Sequence, residues 1–126
     1  MKRFWIGICL LVGLLAVTVG ISVHMNRVHM PMAQQLRQAA EAALQEDWQQ
    51  AAALADRARQ SWEKNWHCTA VFADHTPMDE MDGLFAELKV YGRVREKEHF
   101  AATCDRLAKL AEAMADSHHP GWWNLL

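Results

Sequence analysis

The densest run of side chains able to hold a metal or move a proton is His67-Cys68 followed by Asp74-His75, with Asp79 and Asp82 just beyond. Imidazole, thiolate and carboxylate are the ligand types zinc takes. The spacing fits no zinc finger or zincin, because there is no HExxH and no paired CxxC, and Cys68 stands far from Cys104. Asp74-His75 has the form of an oriented general base, yet acyl-transfer chemistry needs a nucleophile in a strained turn, and no GxSxG accompanies it. The residue types point instead to structural work at a helix junction. Asp74 caps or pairs there, and His75 bonds across to a neighbouring helix or responds to pH near the ordinary histidine value of about 6.5. No catalytic residue and no resident cofactor are expected. His67, Cys68, Asp74 and His75 remain the candidate metal ligands, and His67, Asp74 and His75 the centre of an alternative reading as a metal- or pH-responsive sensor or a hydrolase.

The three cysteines divide by position. Cys9 sits in an apolar run and reads as inert packing, whereas Cys68 and Cys104 fall in a segment expected outside the cytoplasm, where a disulfide between them is chemically allowed. The tryptophans suggest recognition. Trp48, Trp62 and Trp66 share a helical stripe with Ala51, Ala52, Ala55 and Ala58, and Trp122-Trp123-Asn124-Leu125-Leu126 is too short to span a bilayer but strongly apolar. Core packing is the simple account of the stripe, and packing on its own bundle the simple account of the tail. An exposed aromatic face for a partner or for lipid headgroups is the functional one. Trp48, Trp62, Trp66, His75, Trp122 and Trp123 are therefore the candidate interaction residues.

These side chains need elements to position them. From Phe4 to Val23 no charged residue and no proline occurs, and about 20 helical residues just cover a hydrocarbon core of about 30 Å. Lys2 and Arg3 precede the run, which places the N-terminus in the cytoplasm and the remainder outside it. The competing reading is a cleaved secretory signal, with Thr18 and Gly20 as small residues before the cut. Residues 1–3 are then a cytoplasmic tip, 4–23 a transmembrane signal anchor, and 24–32 a linker in which Pro31 breaks or restarts the helix. Residues 33–117 form a helical domain and 118–126 a tail.

Within that domain, Leu36, Ala40, Ala43 and Leu44 mark a first amphipathic face, and the Trp48-to-Trp66 stripe marks a second. Thr76-Pro77-Met78-Asp79 reads as a helix start, followed by Met78, Met81, Leu84, Phe85, Leu88 and Tyr91 on one face until Gly92 ends or weakens the helix. Glu96 and Glu98 open a fourth helix carrying Phe100, Cys104, Leu107, Leu110 or Ala111, and Met114, which His118-His119-Pro120-Gly121 stops. No segment alternates as a strand. The fold class is all-α: an N-terminal transmembrane helix followed by a small antiparallel bundle of about four helices. Glu46-Asp47-Trp48 with Ala51, Ala55 and Ala58 also looks like one tetratricopeptide unit, giving a second reading as an adaptor, although such arrays normally need about three repeats.

Composition narrows the function further. The 126 residues are 52% hydrophobic and 22% charged with a formal charge of -2. After the apolar run, that is about one small domain. Arg93, Arg95 and Lys97 interleave with Glu96 and Glu98, so no basic stripe is expected and nucleic acid is set aside as a partner.

Several landmarks together resemble an uncharacterised bacterial family of membrane-anchored helical proteins, the domain of unknown function family 4363. They are the short N-terminal anchor, Asp47-Trp48 with Ala51, Trp62 to Trp66, Phe72-Ala73-Asp74-His75 leading into Met78 and Asp79, and the terminal Asn124-Leu125-Leu126. The resemblance implies a small anchored helical protein and carries no catalytic residue. The expected function is a non-enzymatic interaction or scaffold module in the bacterial envelope, held in the cell membrane by lipid contact of its N-terminal helix. Its partner is another envelope protein or a second copy of itself. A bundle hosting a small molecule in an apolar pocket is a third option.

Overall fold

The computed structural model describes residues 1–72 and 75–116. Its elements are α1 (Lys2–Leu44), α2 (Trp48–Phe72), α3 (His75–Val94) and α4 (Lys97–Asp116). The described residues contain no strand.

α1 runs unbroken for 43 residues through Pro31. The expected linker over 24–32 is therefore helix, and the expected break at Pro31 does not occur. Proline removes one helical hydrogen bond and crowds the preceding turn, but packing on both sides outweighs that cost. Met25, His29, Met32, Ala33 and Leu36 recur at steps of three and four and are all buried, while Pro31 itself faces solvent. The bundle thus begins near Ser22, inside the helix whose N-terminal part is apolar and exposed. That part is long and apolar enough to cross a membrane.

α1 packs extensively on both α2 and α4, and α3 packs on α4. The surfaces explain why. Ala33, Ala39, Ala40 and Ala43 of α1 meet a core that includes Ala101, Ala108, Ala111 and Ala115 of α4, and small side chains let helix backbones approach closely. An Arg37–Glu112 fork clamps this seam at its surface, with Nη2 donating to Oε2 at 2.7 Å. The hydrogen bond to Arg37 lowers the Glu112 carboxyl, and the same bond raises the Arg37 guanidinium.

The turns are short. Asp47 accepts from the Gln50 backbone N–H at 3.2 Å and caps α2, one reason why the chain restarts so promptly after α1. Glu46 and Arg95, one in each turn at this end of the bundle, adopt left-handed φ values of 62° and 57°. Gly92 does not end α3, which continues to Val94. Its role is space: a Cβ there would meet Phe100 Cε2 at 3.2 Å, so the missing side chain admits the Phe100 ring from α4.

Candidate functional site

α2 and α3 form the least-packed neighbouring pair. They are tied where Trp62 Nε1 donates to Asp82 Oδ1 at 2.6 Å. Toward the turns at residues 45–47 and 95–96 they stand apart, leaving a half-open cleft of about 520 Å³. That volume lies within the range of about 300–1,000 Å³ usual for ligand pockets.

The floor of the cleft follows from residues already placed. Phe100 projects beneath Gly92, and Trp48 meets its ring edge-on with centroids 5.5 Å apart. Phe85 and Leu88 of α3 complete the apolar floor, while Ala52 and Ala55 keep the α2 wall low. The rim is cationic. Lys89, Arg93 and Arg95 line one side, and Arg59 with Asp56 the other. Arg59 is paired with Asp56 and Glu63 on its own helix. Lys89, Arg93 and Arg95 have no carboxylate within ion-pair distance among the described residues.

In sequence, Arg93, Arg95 and Lys97 interleave with Glu96 and Glu98. In three dimensions Glu96 instead meets His99 at 3.1 Å, and Lys97 reaches Glu46 at 3.4 Å. Two arginines and Lys89 are thereby left over the cleft. The available sequence signal was Lys89 and Arg93 at i and i+4, one turn apart on one helix face.

The residues singled out from the sequence scatter. Trp62 is core, its ring 6.2 Å from that of buried His29, and so presents no face to a partner. Trp48 is half-buried at the cleft, and Trp66 is half-buried with His67 edge-on to it at 5.3 Å. His67 and His75 are exposed, His75 at the first residue of α3. Cys68 is exposed and lies 3.7 Å from His24 Nε2 of α1. Among the described residues no three His, Cys, Asp or Glu side chains converge as a metal site. Asp74, His118, His119, Trp122 and Trp123 lie outside the described residues.

The disulfide that the sequence allowed between Cys68 and Cys104 is not formed here, and both thiols are free. Cys104 is sealed within the core, whereas Cys68 faces solvent. Burial, with the Asp105 charge beside it, pushes the Cys104 thiol up to about 12.

A protein-family model, the domain of unknown function DUF4363, matches residues 19–125. The chain belongs to this family. The match takes in the four packed helices and the apolar tail but leaves most of the first apolar stretch outside, which separates the bundle from its N-terminal extension. No curated protein and no solved structure matches the chain.

Proposed function

We propose that this DUF4363 member is a membrane-tethered, non-enzymatic helical module that receives another envelope component in the cleft between α2 and α3. The observation that carries this reading is the cleft itself: an aromatic floor beside uncompensated cations, at the least-packed adjacent helix pair of the bundle. Apolar clefts with a few placed polar groups are where small domains bind. The tether is α1. Its exposed apolar turns suit lipid, and Lys2 and Arg3 ahead of them favour an N-terminus in the cytoplasm with the bundle outside it. The lack of a recognisable nucleophile, base and metal constellation in the sequence supports binding rather than catalysis.

Site-specific photo-crosslinking in native membranes tests this. A photoreactive residue at Ala52 in the cleft is compared with others at Trp66, His75 and Trp122, and products are identified by mass spectrometry. A recurrent foreign protein captured from Ala52 is the expected result. Products confined to the chain itself or to lipid would overturn the reading.

A further inference from the structure

We propose that the occupant of the α2–α3 cleft is an acidic, amphipathic helix of a partner polypeptide. Its apolar side chains would rest on Trp48, Phe85, Leu88 and Phe100, and its carboxylates would face Lys89, Arg93 and Arg95. This rests on the interaction reading above and adds the chemistry of the partner.

Charge is the first argument. Like charges at i and i+4 repel and weaken a helix, yet Lys89 and Arg93 stand one turn apart on α3, with Arg95 just past its end. None of the three meets a carboxylate among the described residues. An anionic partner relieves that repulsion, whereas a neutral or cationic one does not.

Shape is the second. In a pocket for a small anion, polar groups converge on one point. Here the cations are strung along the rim, Lys89 and Arg93 about 6 Å apart along α3 and Arg95 beyond them. The α2 wall from Trp48 to Arg59 extends for about 16 Å, three turns of helix. A helix laid between two helices presents apolar anchors at i, i+3, i+4 and i+7 with charges along its flank, which matches an elongated apolar floor under a charged edge.

Location argues against a lipid. If α1 is the tether, Val23 to Leu44 lifts this end of the bundle about 30 Å from the bilayer, out of reach of an acyl chain still in the membrane.

The test uses the full chain in phosphatidylcholine nanodiscs. Fluorescence anisotropy follows a labelled helical peptide with leucines at i, i+3, i+4 and i+7 and glutamates on its flanks, against the same peptide with lysines. The acidic peptide should bind at least about tenfold more tightly, and the advantage should shrink as salt rises. Lys89→Glu with Arg93→Glu should reverse the preference. Ala52→Trp, which fills the cleft from an exposed position, should weaken the acidic peptide while leaving thermal unfolding in place. Equal binding of both peptides, or no effect of the charge reversal, would overturn the acidic helix while leaving a crosslinked partner at Ala52 standing. Naphthylacetate binding in the cleft without peptide binding would overturn it in favour of a small anion. Self-association abolished by the charge reversal, again without peptide binding, would overturn it in favour of a second copy.

Discussion

The α1–α4 seam and the α2–α3 seam are built from opposite materials. Along α1 and α4, alanines at helical spacing bring the backbones together, and Leu36, Leu107 and Met114 fill what remains. Along α2 and α3, one hydrogen bond from Trp62 to Asp82 holds the helices at one place, and large rings with long cationic chains keep them apart beyond it. A small bundle need not close every seam to fold. α1 contacts two helices and buries residues from Ser22 to Ala43, so it is the element on which the others assemble. The α2–α3 seam is left available for something else.

The largest effect is expected where the open seam is fastened. Trp62→Ala removes a fully buried ring that contacts α1 at His29 and α3 at Asp82. It should cost about 3–5 kcal/mol in chemical denaturation. A loss below about 1 kcal/mol would mean that the seam is not fastened there.

Next comes a pair of matched substitutions. Ala108→Leu forces a larger side chain into the closed seam and should destabilise by about 1–3 kcal/mol. Ala52→Leu places the same side chain over the cleft from an exposed position and should stay within about 0.5 kcal/mol of the parent. Equal penalties would erase the distinction between the seams.

The cysteines sharpen the contrast chemically. Cys68 should be alkylated in the folded protein near neutral pH, and Cys104 only after unfolding. Because burial holds the folded Cys104 value near 12, above about 8.5 in the unfolded chain, its protonated thiol supports the fold fully below the unfolded value. That contribution fades as pH rises toward the folded value. Cys104→Ala should therefore flatten the fall in thermal stability between about pH 9 and 12.

The smallest effect belongs to the turns that border the cleft. Glu46→Gly relieves a left-handed backbone but loosens the unfolded chain and removes the surface contact to Lys97. The net change should lie within about 1 kcal/mol, and circular dichroism melts would register it.

Most of the fold was legible in the sequence because helical periodicity reports which face is buried. The stripes at Met78, Met81, Leu84, Phe85 and Leu88, and at Phe100, Cys104 and Leu107, lie in the core. Trp62 also behaves as its spacing suggested. Pro31 misled because local propensity says nothing of the buried turns on either side that hold α1 straight through. Gly92 misled because its purpose is an aromatic ring arriving from another helix. The cleft was hidden for a similar reason. In sequence the charges simply interleave, and only the folded chain pairs Glu96 with His99 and Lys97 with Glu46, leaving Arg93 and Arg95 over the cleft.

Native-state hydrogen exchange of the full chain in nanodiscs tests the difference between the seams most directly. The last two turns of α3, from Leu88 to Val94, should exchange at markedly lower opening free energy than Leu36 to Ala43 of α1 or Cys104 to Ala111 of α4, and occupation of the cleft should raise their protection selectively. Uniform protection across all four helices would contradict the account, because it would mean that α2 and α3 are held as firmly as α1 and α4.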